Sequence, residues 1–116
     1  MGRLTTHVLD TAHGRPGAAM RIELFRIADR RERVAAATTN ADGRCEQPLL
    51  EGAAFSAGTY ELVFHAGDYF ASLGVKLPSP RFLDQVTIRF GVSDPAEHYH
   101  VPLLISPYAY STYRGS

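Results

Sequence analysis

Polar and apolar positions alternate through most of this chain, with a period of two rather than the 3.6 of a helix. In "AMRIELFRI", Met20, Ile22 and Leu24 share one face and Arg21 and Glu23 the other. "GTYELVFHA" repeats the pattern, with Tyr60, Leu62 and Phe64 opposite Glu61, Val63 and His65. In "FLDQVTIRFGV", Val86, Ile88, Phe90 and Val92 oppose Thr87 and Arg89. The β-branched run "RLTTHVLD" sets Thr5, His7 and Leu9 against Leu4, Thr6 and Val8. In "HYHVPLLIS", Tyr99, Val101, Leu103 and Ile105 read as core, which leaves His98 and His100 together on the other face. "RVAAATTN" is a weaker strand ending at "NADGR", an Asp-Gly turn of the hairpin kind. "YAYSTYR" is a further run, set off by a turn at Pro107. One short helix is expected around "GDYFASLGV", with Gly74 as its C-terminal cap.

Seven or eight short strands without long helices between them predict an all-β fold, an antiparallel sandwich or barrel. No repeat, linker or low-complexity tract interrupts the pattern, so residues 1–116 are expected to form a single domain. At 45% hydrophobic and 21% charged residues, the chain has a globular rather than a disordered balance. Its formal net charge is zero, which argues against nucleic acid or an anionic membrane as partner and leaves little repulsion against self-association. Cys45 is the one cysteine, so no internal disulfide is possible, in keeping with a reducing compartment. There is no apolar run of signal-peptide or membrane-spanning length, and "RGS" is not a peroxisomal ending; the expected location is the cytoplasm.

The candidate chemistry lies on the polar faces. His7, inside the first strand, is by itself an ordinary half-buried strand histidine. His98 and His100 are spaced to bind a metal together, but no acidic or cysteine residue within strand reach supplies a third ligand, so no metal is expected. A neutral strand histidine can instead serve as a general base near pH 7. Arg44, after the "ADG" turn, offers a planar bidentate donor to a carbonyl or an anion. "YSTYRGS" reads either as a tyrosine-rich edge strand with a tail or as part of a site.

The stretches "LTTHVLDTAHGRPGAAMRIELFRI", "ADGR", "GTYELVFHAGDYF", "FLDQVTIRFGV" and "HYHVPLLISPYAYSTYRGS" together resemble the 5-hydroxyisourate hydrolase (transthyretin-related protein) family. The likeness runs from about Leu4 to Ser116, and its most specific element is Tyr113-Arg114-Gly115-Ser116, which the transthyretin hormone carriers lack. The resemblance implies a transthyretin-like two-sheet β-sandwich with one short helix, assembled as a homotetramer of paired dimers with active sites in a channel between them. It implies hydrolysis of 5-hydroxyisourate to 2-oxo-4-hydroxy-4-carboxy-5-ureidoimidazoline, by water attack on a cyclic amide, in urate degradation towards allantoin. No cofactor is implied. By the family's motifs, His7, Arg44, His100 and Ser116 would be catalytic, and Tyr113, Arg114 and Gly115 would bind substrate. The second histidine of "HYHVP" is the matched one, not His98, and the division of acid and base between His7 and His100 stays open. The alternatives are a non-catalytic transthyretin-like carrier of a small ligand, or a sandwich used only for assembly.

Overall fold

The computed structural model describes residues 2–115. The strands are β1 (Arg3–Thr5), β2 (Val8–Asp10), β3 (Arg15–Pro16), β4 (Arg21–Ile27), β5 (Arg31–Thr38), β6 (Leu50–Glu51), β7 (Gly58–His65), β8 (Gln85–Val92), β9 (Tyr99–His100), β10 (Leu103–Ile105) and β11 (Tyr110–Thr112). One α-helix, α1 (Ala66–Ser72), follows β7 directly. More segments are present than the seven or eight expected because two long runs are interrupted and because β3 and β6 are two-residue strands outside the alternating runs. β1 and β2 are parts of one run broken at Thr6 and His7, and β9 and β10 are parts of another broken at Val101 and Pro102. Pro102 has no N–H to give to a ladder, which accounts for the second break.

One layer is the antiparallel sheet β5-β4-β7-β8, with a register shift between Leu24 and Phe25. The other is built on the two interrupted runs, giving β6-β1-β9 and β11-β10-β2-β3. These runs pair parallel, Leu4 with Tyr99 and Thr5 with His100, then Val8 with Leu103 through Asp10 with Ile105. Between the two parts the ladder continues, for Val101 N–H donates to the Thr5 carbonyl at 2.9 Å and Leu103 N–H to that of His7 at 2.8 Å. The all-antiparallel expectation therefore holds for hairpin-like neighbours and not for this central pair. No turn joins these two runs, so nothing local in the sequence announces their direction.

The core lies between the layers, and the alternating faces supply it. Met20, Ile22, Leu24, Tyr60, Leu62, Phe64, Val86, Val101, Leu103 and Ile105 are buried as their spacing predicts. Each such side chain stabilises by about 1.5–3 kcal/mol relative to exposure. β7 departs from simple alternation, because Glu61 and Val63 on its outer face are also buried. Its central position lets β4 and β8 cover it from both sides, and Glu61 is held by Arg31 and Arg89, each at 2.9 Å. The helix closes as expected: with Gly74 at φ +81°, Gly74 N–H reaches the Ala71 carbonyl and Val75 N–H that of Phe70.

A buried carboxylate ties α1 to β2. Asp10, 1% exposed, accepts bonds at Oδ1 from the Ala12 and His13 N–H groups, both at 3.0 Å. At Oδ2 it meets His13 Nδ1 at 2.6 Å and accepts the Tyr69 hydroxyl at 2.7 Å. Burial pushes the Asp10 carboxyl upward, but bonds from Tyr69 and His13 outweigh it and hold the group below its usual range. A depressed carboxyl stabilises the fold above its ordinary pKa of 3.8, and that contribution disappears as pH falls through the lower folded value. Tyr69→Phe is expected to cost about 1.5–3 kcal/mol in urea unfolding at pH 7, as for a hydrogen bond to a charged group. It should also move the acid-unfolding midpoint to higher pH. An unchanged acid midpoint would mean that Asp10 is held without the phenol.

Candidate active site

Three neighbouring backbone segments bring the sequence-predicted residues together, with the run through Thr5 and His7 in the middle. On one side, parallel register places His100 beside Thr5. On the other, Arg44 forms an antiparallel bridge with His7. Side chains of paired residues leave a sheet on the same face, so Thr5, His7, His100 and Arg44 form one polar surface. The buried residues of the opposite face, Leu4, Thr6 and Val8, anchor it to the core.

"NADGR" forms the tight hairpin-type turn expected of it, closed by Gly43 N–H to the Asn40 carbonyl at 2.9 Å and Asn40 N–H to the Arg44 carbonyl at 2.7 Å, but Arg44 does not continue as a strand paired with β5. β5 ends at Thr38, and the turn instead directs the chain across to His7. Asn40 Oδ1 accepts the N–H groups of Asp42 at 2.9 Å and Arg44 at 3.1 Å, a side chain standing in for backbone in the turn. Gly43 adopts φ +77°, and a Cβ there would lie 2.3 Å from the Val8 carbonyl oxygen. Both constraints require glycine, and Val8 N–H in return bonds the Gly43 carbonyl at 2.8 Å.

The histidines are held in different ways. His7 Nε2 lies 2.8 Å from the Asp42 carbonyl oxygen. A carbonyl only accepts, so Nε2 carries the proton and the neutral ring keeps its lone pair on Nδ1. His100 Nδ1 lies 2.8 Å from the Thr5 hydroxyl, which can donate or accept. Gly115 packs against the same ring: its N–H bonds the His100 carbonyl at 2.7 Å, and a Cβ on Gly115 would sit 2.7 Å from His100 Cδ2. Burial lowers the His100 pKa below the ordinary 6.5, and the nearby positive charge of Arg44 acts in the same direction. His100 is therefore neutral at pH 7.

A concavity of about 400 Å³ opens on this surface, with Thr5, Arg44, Cys45, Gln47, His98 and His100 in its walls. Burial pushes the Cys45 thiol upward, away from a reactive thiolate. His98, which the alternation placed on the same face as His100, shares its hollow. The remaining tetrapeptide residues point elsewhere. The Arg114 guanidinium lies over the Tyr99 ring, 4.0 Å from its centroid, and bonds Glu97 at 3.1 Å and the His98 carbonyl at 3.0 Å. Tyr113 is 58% exposed and borders a separate hollow of about 230 Å³ beside Phe90 and Val101. Ser116 lies outside the described residues. Thr5 was discoverable from its place on the His7 face; Gln47 carried no signal in the sequence. Among the described residues, no group of three or more His, Cys, Asp or Glu side chains is placed to hold a metal ion. Nor is any helix among them long and apolar enough to cross a membrane.

The fold and the hollow define a two-sheet β-sandwich with a polar, histidine-lined site on its N-terminal strand. The chain belongs to the HIUase/Transthyretin family, whose model matches residues 4–115. It is 64% identical to 5-hydroxyisourate hydrolase 2 of Rhizobium meliloti, over 99% of this chain and 97% of that protein. It is 62% identical to 5-hydroxyisourate hydrolase of Pseudomonas aeruginosa, over 100% and 93%. Among solved structures, Klebsiella pneumoniae 5-hydroxyisourate hydrolase matches with a TM-score of 0.84 at 34% identity, each chain covered completely. (S)-allantoin synthase matches with a TM-score of 0.95 at 49% identity, over 99% of this chain but 44% of that longer one. Sea bream transthyretin in complex with thyroxine, at a TM-score of 0.87 and 23% identity over 97% of this chain and 94% of that one, shares the fold.

The position of His100 between Thr5, Gly115 and the cationic Arg44 generates a direct prediction. In an NMR titration of histidine-labelled protein, His100 should take up its proton below the ordinary histidine pKa of 6.5. Arg44→Ala should raise that midpoint, because a nearby positive charge is removed. A midpoint at or above the ordinary value would place His100 in open solvent or beside an anion.

Proposed function

We propose that this protein catalyses the hydrolytic ring opening of 5-hydroxyisourate, in urate degradation towards allantoin. The observation that carries the reading is the register that sets His7, Arg44 and His100 on one polar surface beside a hollow, in a chain 62–64% identical to proteins named for this activity. The fold alone does not separate a hydrolase from a hormone carrier, as the likeness to transthyretin makes plain. The polar surface favours the hydrolase, since a neutral base beside a guanidinium suits hydrolysis.

The chemistry follows from the side chains. Water adds through its oxygen to the carbonyl carbon of the cyclic amide, and His100 takes the proton it gives up. Negative charge gathers on the carbonyl oxygen, where the Arg44 guanidinium offsets it with its N–H donors. Collapse of the tetrahedral intermediate breaks the ring C–N bond, and the departing nitrogen takes a proton. The product is 2-oxo-4-hydroxy-4-carboxy-5-ureidoimidazoline. His7, with its lone pair fixed on Nδ1, assists by accepting a hydrogen bond from water or substrate. Ser116 belongs to this catalytic set by family motif, and Tyr113, Arg114 and Gly115 to substrate binding. Gly115 has a visible reason, as it makes room for the His100 ring. Tyr113 and Arg114, turned away from the hollow within one chain, would meet substrate across a subunit boundary.

That arrangement favours a homotetramer of paired dimers with shared sites. β8 and β11 form the outer strands of their sheets, and Tyr108, Tyr110 and Tyr113 are 61%, 47% and 58% exposed. Edge strands and exposed aromatics beside them are suited to pairing with another copy. The cytoplasm is the compartment that fits a chain with one unpaired cysteine.

The decisive experiment follows the absorbance of freshly made 5-hydroxyisourate with and without protein; no acceleration over the spontaneous decay would sink the enzyme reading. His100→Asn should then reduce turnover by about 10²–10⁴-fold with the fold retained, the usual contribution of general acid–base catalysis. His98→Asn should reduce it less. Light scattering at assay concentration should report a tetramer, and full activity in a monomer would contradict shared sites.

A further inference from the structure

We propose that Thr5 is the positioning residue for His100: its hydroxyl accepts the proton of His100 Nδ1 and so presents an unprotonated Nε2 to the hollow. The inference rests on the hydrolase reading for its kinetic consequence, but not for its geometry. Thr5 Oγ1 and His100 Nδ1 are 2.8 Å apart, on residues that are register partners across the parallel pair. The ladder bond from Val101 N–H to the Thr5 carbonyl, at 2.9 Å, holds the two backbones at fixed spacing. On another side the ring is confined by Gly115, where even a methyl group would come within 2.7 Å of Cδ2. With Nδ1 bonded and the Cδ2 edge covered, Nε2 is the ring nitrogen left for an incoming water.

Which nitrogen carries the proton is decided by the surroundings. The cationic guanidinium of Arg44 lines the same hollow as His100. A positive charge there favours a lone pair directed at the hollow over an N–H directed at it. The proton then belongs on Nδ1, where the Thr5 oxygen accepts it. Once Nε2 has taken a proton from water the ring is cationic, and Nδ1–H still donates to the same oxygen. If the ring instead passes Nδ1–H away, the hydroxyl can turn and donate. A hydroxyl thus serves His100 through every protonation state, whereas the acceptor-only carbonyl of Asp42 restricts His7 to one neutral tautomer.

The test compares Thr5→Val, which keeps the branched shape and removes the hydroxyl, with Thr5→Ser, which keeps the hydroxyl. In wild-type protein, nitrogen-detected NMR of labelled histidine should find neutral His100 protonated at Nδ1 and bare at Nε2. Thr5→Val should shift the proton towards Nε2 and lower kcat by about 10²-fold, the scale of a misplaced catalytic group, with KM little changed. Thr5→Ser should restore both the tautomer and most of the turnover. Circular dichroism and light scattering establish that each variant is folded and assembled. A wild-type ring protonated at Nε2, or a Thr5→Val protein with unchanged tautomer and kcat, overturns the proposal. So does a loss confined to KM, which would make Thr5 a substrate contact. If the wild-type protein does not accelerate 5-hydroxyisourate decay, the substrate assignment fails while the tautomer measurement still decides the role of Thr5.

Discussion

The parallel ladder between the first run and the run from Tyr99 to Ile105 is the constraint on which the rest of this molecule depends. It joins residues 95 positions apart, with Thr5 beside His100 and the Thr6 hydroxyl donating to the Val101 carbonyl at 2.6 Å. A contact at such separation carries a large loop-closure cost, which must be met by burial made at the same time. The same two runs supply it, since Leu4, Val8, Tyr99, Val101, Leu103 and Ile105 are all buried between the layers. The opposite face of the same ladder carries the polar site. Packing and chemistry are therefore two sides of one pair of strands, and disturbing the register by one residue would exchange them.

That coupling explains how the site can hold a neutral histidine without unfolding the region around it. Burying a polar ring is costly unless its nitrogens are bonded. Here one nitrogen is satisfied by Thr5, and the ring is seated on a glycine that offers space without a competing side chain. Among the described residues, no buried side-chain nitrogen or oxygen lacks a hydrogen-bond partner. The ring is thus half-buried at little expense. Burial of the ring, with the positive charge of Arg44 nearby, favours its neutral form.

Much of this was legible in the sequence, and the remainder was not for identifiable reasons. Alternation found the buried faces of β4, β7 and β8 because each strand has one face on the core. It also placed His98 with His100 and Thr5 with His7, since each pair lies on a single extended run. What period-two patterning cannot convey is which strand lies beside which. The parallel direction of the central pair was missed, as was the redirection of "NADGR" towards His7, because both are tertiary choices. Asp42-Gly43 was rightly read as a hairpin-type turn from its dipeptide, but the Val8 carbonyl pressed against Gly43 gave no sign there. The Asp10, His13 and Tyr69 cluster likewise joins positions with no common motif. The resemblance to a family named His7, Arg44 and His100 as a set, and register then explained how they meet.

The tetrapeptide that made the resemblance specific shows why one chain is an incomplete account of such a site. Gly115 has its explanation within the chain, through the His100 ring. Arg114 does not: its guanidinium is occupied by Glu97, the His98 carbonyl and the face of Tyr99. Those contacts are exposed and individually weak, so they hold Arg114 in place without committing it. A guanidinium stacked on an aromatic ring is pre-ordered and retains unused donors, which suits it to complete a surface supplied by another copy. Tyr113 next to it is exposed beside an apolar hollow, an arrangement that costs free energy in water and is relieved on association. The strand face with the histidines and the segment with Tyr113 and Arg114 are thus two unfinished surfaces on one subunit. In the proposed tetramer a two-fold axis would repeat both on each partner, so that contacts unavailable within a chain would become available between chains.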